Sequence, residues 1–257
     1  TSRFLLSLCL VLTACGDAGA GGNGSGTARA GGAAPAPASA SQAATAPPSG
    51  ADTARSLPVD ARPVVVFLGT SLTAGLGLVR TEDTYVARVA ELADAAGLPI
   101  RTVNAGVSGA TSADGLSRIG WVLKDPLDVL VLELGANDGL RGQDPRATEE
   151  NLLAIIDSTR ARYPHARIVL AGMEAPPNLG ATYTDAFRAV FPRVARERHT
   201  ALIPFLLQGV GGVRALNQAD GIHPNAKGER IVARNVWNVL EPIVRDLEAH
   251  RTASEGR

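Results

Sequence analysis

The stretch Val64–Gly75, VVVFLGTSLTAG, joins two unlike patterns. Val64–Leu68 is an unbroken run of β-branched and bulky apolar residues, which suits a strand buried on both faces. The run breaks at Gly69 into Thr70, Ser71, Leu72 and Thr73, small polar residues mixed with one apolar one, as at the opening of a helix. A serine at this junction stands in the first helical turn, where N–H groups lack intrahelical acceptors and the dipole favours negative charge. That position suits a nucleophile whose attack creates an oxyanion. Ser71 or Thr70 also reads as an ordinary N-cap, since Ser and Thr are usual capping types. The motif alone leaves both readings open.

Similar units recur along the chain. Arg101–Val103, Val129–Leu134, Ile168–Ala171 and Leu202–Phe205 are further short apolar runs, each predicted as a strand buried on both faces. Between them the period becomes helical. Tyr85–Ala96 places Val86, Val89, Ala93 and Ala96 on one face, with Gly97 positioned to close the helix. Asn151–Arg162 does the same with Leu152, Ile155, Ile156 and Thr159, and Ala226–Leu247 carries a stripe from Val232 to Leu247. Strand–helix alternation predicts an α/β domain with a parallel sheet and helices on both faces. In such folds functional groups gather beyond the C-terminal ends of the strands.

Those ends carry the remaining chemistry. The second strand runs into Asn104-Ala105-Gly106-Val107-Ser108-Gly109-Ala110-Thr111, a small-residue loop entering a helix. The third ends in Glu133-Leu134-Gly135-Ala136-Asn137-Asp138-Gly139, where Asn137 could donate its amide to an oxyanion, although Asn-Asp-Gly is also ordinary turn chemistry. Near the C-terminus stands Asp220-Gly221-Ile222-His223-Pro224-Asn225. A serine hydroxyl needs a base such as His223, and the imidazole needs a partner on its other nitrogen, which Asp220 could supply across a tight turn. The alternative is that Asp220 shapes the loop and His223 precedes a helix starting at Pro224. His165, His199 and His250 sit at polar helix ends or in the tail and read as solvated.

The first sixty residues read differently. Residues 4–14, FLLSLCLVLTA, follow Arg3 and precede Cys15, too short an apolar run for a lasting membrane span but suited to a secretory leader. Leu12-Thr13-Ala14-Cys15 resembles a lipobox, so residues 1–15 are expected to be a lipoprotein-type signal peptide with Cys15 lipidated, and the protein membrane-anchored after export. An ordinary cleaved leader with an incidental cysteine is the other reading. Residues 16–60 are rich in Gly, Ala, Ser and Pro and hold almost no bulky side chains, so they read as a disordered tether of roughly 35–40 Å mean reach. The folded domain is expected over residues 61–248, with a polar, frayed tail over 249–257. The only two cysteines, Cys9 and Cys15, precede this domain, so thiolate zinc sites and disulfides are excluded from it. Of 25 basic and 25 acidic residues three of each sign precede Ala61, leaving 22 against 22, a balance that argues against nucleic acid as a partner.

Taken together, G-T-S-L-T, N-A-G-V-S-G, G-A-N-D-G and D-G-I-H-P, in that order, resemble the four blocks of the SGNH (GDSL-type) hydrolases. The spacing is most similar to the bacterial arylesterase and thioesterase/lysophospholipase subgroup, and the resemblance spans Val64 to Leu247. It implies a three-layer α/β/α domain with a parallel sheet of about five strands, and no metal or organic cofactor. It also implies Ser71 as nucleophile, His223 as general base, Asp220 as the group that orients it, and an oxyanion hole of Ser71, Gly109 and Asn137. One residue departs from the family: its first block usually reads G-D-S, and Thr70 stands here in place of the aspartate.

The expected reaction is two-step hydrolysis of carboxylic esters, thioesters or lysophospholipids. Met173–Gly180 and Leu76–Val79 are expected to line the site with apolar surface. An O-acetyl-carbohydrate deacetylase or acyltransferase, and a non-catalytic tethered binding lipoprotein, are the competing readings. The chain's ten aromatic residues (5 Phe, 2 Trp, 3 Tyr) offer little for stacking on sugar rings.

Overall fold

The computed structural model describes residues 62–255; the segments read as leader and tether, with Cys15, lie outside the described residues. β1 (Val64–Gly69) forms where the sequence is most apolar, and every residue after Val64 is buried. It pairs in parallel with β2 (Arg101–Gly106) on one side and with β3 (Val129–Leu132) on the other. β4 (Arg167–Ala171) and β5 (Ala201–Ile203) extend the sheet beyond β3, giving five parallel strands in the order β2-β1-β3-β4-β5. The order changes direction at β1/β3. Loops leaving the strands there diverge and open a crevice at the sheet's C-terminal edge.

Helices cover both faces. In chain order they are α1 (Ser71–Ala74), α2 (Tyr85–Ala95), α3 (Ser112–Val122), α4 (Ala136–Leu140), α5 (Pro145–Arg162), α6 (Ala181–Glu197) and α7 (Ala226–Glu255). α2 packs against α7, while α3 packs against α5 and α5 against α6, which makes the three-layer α/β/α arrangement. Phe67, Tyr85, Leu130, Leu132, Phe187 and Phe191 are among the largest fully buried side chains. Each such burial contributes about 1.5–3 kcal/mol relative to exposure. Among the described residues, no helix is long and apolar enough to cross a membrane.

The helix starts follow from local chemistry. Thr84 accepts from the Ala87 N–H at the head of α2, and Thr111 and Asp114 form a reciprocal capping box on α3. Asp144 caps α5 with Pro145 in its first turn, where a missing N–H costs nothing. α5 therefore begins ahead of Asn151.

Other boundaries also differ from the sequence reading. β2 is not buried on both faces: it is the sheet edge, and Arg101, Val103 and Asn104 are exposed. β5 stops at Ile203 because Pro204 follows and cannot donate to a ladder. α7 starts after Pro224, with Asn225 Oδ1 accepting from the Lys227 and Gly228 N–H groups. It continues past Leu247 to Glu255 rather than fraying at Ala249, supported by the Arg251–Glu248 ion pair and by Thr252 Oγ1 donating to the Glu248 carbonyl.

Candidate active site

β1 ends at Gly69 and the chain turns into α1, with Thr70 as N-cap and Ser71 as the first helical residue. Ser71 Oγ lies 2.8 Å from His223 Nε2, and His223 Nδ1 lies 2.7 Å from Asp220 Oδ2. Residues far apart in sequence thus form one line of contacts across the crevice. A carboxylate only accepts hydrogen bonds, so Nδ1 carries the ring hydrogen and Nε2 turns its lone pair toward the Ser71 hydroxyl.

The Asp220–His223 turn is held by its own backbone. Asp220 Oδ1 accepts from the N–H groups of Ile222 (3.0 Å) and His223 (3.1 Å) while Oδ2 meets the ring. The His223 N–H, followed by the ring and the Ile222 N–H, holds the Asp220 carboxyl down at about 2. Asp220 is therefore ionised throughout the range in which histidine titrates. Because that pKa is depressed, the stability it contributes is present above the ordinary carboxylate range and is lost as pH falls toward 2. Gln218 secures the same loop, its side-chain amide donating to the Leu76 and Pro224 carbonyls.

Gly109 and Asn137 approach from the other side. Gly109 has φ +80°, a left-handed conformation that a side chain would strain, and the Arg141 guanidinium grips its carbonyl at 3.0 Å. Asn137 Nδ2 donates to the Ala110 carbonyl at 3.0 Å, and an amide carries two hydrogens, so one remains. The neighbouring Asp138 is buried and accepts from the Ser112 N–H and hydroxyl and from the Thr148 hydroxyl. The Asn-Asp-Gly turn thus clamps the loop after β2 with two successive side chains. The structure brings Ser71, Asp220, His223, Gly109 and Asn137 to one crevice.

Sequence reading missed several residues that fix this geometry. Asn104 donates to the Thr73 carbonyl at 2.7 Å, tying α1 to β2. Arg118 bridges the ends of β2 and β1, donating to Ala105 O (2.7 Å) and Gly69 O (2.9 Å). Glu133 sits fully buried beneath α1 and accepts from Thr70 and Thr73. Gly106 permits contact of backbone with backbone, because a Cβ there would lie 2.3 Å from the Ala74 nitrogen. No flexible side chain can absorb that clash. Gly106→Ala is expected to destabilise the fold by about 1–3 kcal/mol in urea unfolding and to lower turnover by displacing α1.

Ser71 and His223 open into a cavity of about 560 Å³, within the size range of small-molecule sites. Leu76, Leu140, Met173, Pro176, Phe205 and Ile222 form much of its wall, and neither Lys nor Arg lines it. Of Leu76–Val79 only Leu76 lines it, Val79 being fully exposed, and of Met173–Gly180 the part from Met173 to Pro177 does. Glu174, the one carboxylate on the wall, is paired with Arg188. His165, His199 and His250 are exposed and line a separate cleft of about 640 Å³ that also takes in Arg160 and Arg167, before the N-terminal ends of β4 and β5. Size does not choose between the two clefts; the chemistry at Ser71 does. Among the described residues, no group of three or more His, Cys, Asp or Glu side chains is arranged to hold a metal ion.

Residues 67–231 match the GDSL-like lipase/acylhydrolase family. The chain is 41% identical to esterase TesA of Pseudomonas aeruginosa over 181 residues, 70% of this chain and 89% of that protein. The crystal structure of TesA superposes with a TM-score of 0.67, covering 70% of this chain and 99% of that one. Thioesterase 1/protease 1/lysophospholipase L1 of Escherichia coli K12 is 37% identical over 182 residues, 70% of this chain and 84% of that protein. AlinE4, an SGNH-hydrolase family esterase, gives a TM-score of 0.59 at 37% identity, covering 70% of this chain and 96% of that one. A family match over residues 67–231 and a relative 41% identical over most of its length show that the chain belongs to the GDSL-like lipase/acylhydrolase family and is a carboxylic ester hydrolase.

Proposed function

We propose that Ser71 is the nucleophile of a two-step acyl transfer to water, with His223 as general base and then acid. The observation that carries this reading is the continuous contact from Asp220 through His223 to Ser71, at 2.7 and 2.8 Å. His223 Nε2 takes the Ser71 proton as Oγ attacks the ester carbonyl, and ionised Asp220 stabilises the imidazolium. The developing oxyanion is met by the N–H groups of Ser71 and Gly109 and by the free hydrogen of the Asn137 amide. His223 then protonates the leaving alcohol. Water attacks the acyl-enzyme by the same route and frees the acid and Ser71.

The cavity favours a neutral, apolar acyl group. Its walls away from the catalytic groups are mostly aliphatic, with Phe205, and no Lys or Arg lines it to take a phosphate. Short- to medium-chain alkyl or aryl esters fit this surface best. Purified residues 61–257 are expected to hydrolyse p-nitrophenyl esters with a rate that rises from acetyl to a medium chain and then falls. Acyl-CoA and lysophospholipid, assayed alongside, are expected to be slower. Turnover confined to acetylated carbohydrate would overturn the substrate reading.

We also propose that the protein is exported and anchored by lipid on Cys15, on the strength of the Leu12-Thr13-Ala14-Cys15 motif alone. Several acyl chains at about 0.8 kcal/mol per buried methylene would hold it firmly. Cys15→Ser is expected to abolish palmitate incorporation and move the esterase activity to the soluble fraction. Unchanged membrane association of that variant would contradict the anchor.

A further inference from the structure

A carboxylate lies directly under the nucleophile turn, and no step proposed above uses it. Glu133 follows β3 and is fully buried. Three donors converge on it from one turn: the Thr70 N–H (2.8 Å), the Thr70 hydroxyl (3.0 Å) and the Thr73 hydroxyl (2.7 Å). Thr70 and Thr73 flank Ser71 and Leu72 in sequence, so their attachment fixes the backbone from which Ser71 projects. Thr73, having donated to Glu133, accepts from the Tyr85 hydroxyl at 2.7 Å, and the Tyr85 N–H donates to Glu229 on the first turn of α7 at 2.6 Å. This buried chain joins the element bearing Ser71 to the helix that follows His223.

We propose that Glu133, in its ionised form, is a positioning residue for the reaction: it holds the Thr70–Thr73 turn so that Ser71 Oγ stays against His223 and the Ser71 N–H faces the oxyanion. The proposal rests on Ser71 being the nucleophile. The ionised carboxylate accepts from all three groups at once, whereas a proton on Glu133 makes it a donor and forces one threonine hydroxyl to turn from donor to acceptor, which reorganises the bonds that hold the turn. Thr70 matters to this arrangement. A hydroxyl at that place supplies a donor, whereas the aspartate usual in the first block would set a second carboxyl against Glu133.

Burial pushes the Glu133 carboxyl up to about 7, against the pull of the Thr70 and Thr73 hydrogen bonds. The charged or titratable groups facing it are Tyr85 on α2, Arg118 on α3 and Glu229 on α7, the last itself raised to about 8 by burial. Both carboxyls are raised, so the stability they contribute is full below the ordinary carboxylate range and is lost as pH rises through about 7 and 8. The form that orders the nucleophile is the one that costs stability.

The test is kcat and KM against pH, from about pH 5 to pH 9, for the wild type, Glu133→Gln, Thr70→Val and Thr70→Ser. Deprotonation of Glu133 is expected to make the wild-type acid limb of log kcat steeper than that of Glu133→Gln by up to one unit of slope. Glu133→Gln is expected to lower kcat roughly 10–100-fold with KM little changed, and to lose that extra unit. Thr70→Val, which cannot donate, is expected to lose most of the rate, and Thr70→Ser to restore most of what Val loses. Should Glu133→Gln fail to fold, the Thr70 pair still decides: equal kcat for Val and Ser overturns the proposal. A wild-type acid limb no steeper than that of Glu133→Gln, with kcat unchanged in that variant, overturns it too. A fluorophosphonate adduct on wild-type Ser71 in the same preparations separates the two readings, since its absence would count against Ser71 itself and its presence beside a failed pH test against Glu133 alone.

Discussion

Ser71→Ala is expected to lower kcat on a p-nitrophenyl ester by roughly 10⁵–10⁶-fold while leaving the thermal unfolding midpoint within a degree or two of wild type. The size follows from the two-step mechanism. Without Oγ no acyl-enzyme forms, and His223 is left to direct water against a carbonyl held only by the oxyanion donors. Residual rates of roughly 10³–10⁴ over water survive in such sites because those donors and the binding cavity remain. Stability is expected to hold because Ser71 Oγ hydrogen-bonds His223 and both line the cavity, so removing the oxygen leaves no buried partner without water. Stopped-flow or steady-state hydrolysis beside a thermal melt checks both halves. Activity within tenfold of wild type would place the nucleophile elsewhere.

Asp220→Asn is expected to cost roughly 10⁴ in kcat, more than the loss of any single oxyanion donor, for which roughly 10²–10³ is usual. Asp220 Oδ2 forces the hydrogen onto His223 Nδ1. An asparagine amide turned to that nitrogen donates instead, which moves the ring hydrogen to Nε2 and leaves no lone pair for the Ser71 proton. The variant's Oδ1 can keep the Ile222 and His223 N–H bonds, and the side chain is about half exposed, so folding is expected to change little. Kinetics of the variant with nuclear magnetic resonance of the imidazole hydrogens separates a tautomer change from a collapsed loop. A rate loss below tenfold would mean that the Asp220 charge and orientation are not needed.

The fold was legible in the sequence where local and global preferences agree. β1, β3 and β4 announce themselves as apolar runs because both of their faces are covered, and the capped, periodic α2 is equally plain. β2 misleads: a parallel edge strand has one side without a partner strand, and its exposed Arg101 and Asn104 belong to that position. α6 was hidden by its own residues. Its first turn holds Thr182, Tyr183 and Thr184 after Ala181, and Pro192 lies inside it, all poor helix formers but Ala181, and the helix is held by burial of Phe187, Val190, Phe191 and Val194.

The candidate site divides in the same way. Ser71, Gly109, Asn137, Asp220 and His223 all lie in loops or first helical turns where small or polar residues interrupt an apolar pattern, so chemistry and position point to them together. Glu133, Arg118, Asn104 and Arg141 act on backbone groups of other elements that the fold brings beside them. Nothing in the local pattern distinguishes Glu133 from a strand-end acid, because its meaning comes from the Thr70 and Thr73 donors that only the fold brings to it. Thr70 itself reads as a cap from sequence, and it is one, but it is also a ligand of that carboxylate.

The most direct measurement is reaction of the purified domain with a fluorophosphonate followed by peptide mass spectrometry. A single adduct per chain, on the peptide bearing Ser71, with labelling slowed strongly in Asp220→Asn, is the expected result. A folded protein that takes no label, or takes it on another residue, would contradict Ser71 as the activated nucleophile.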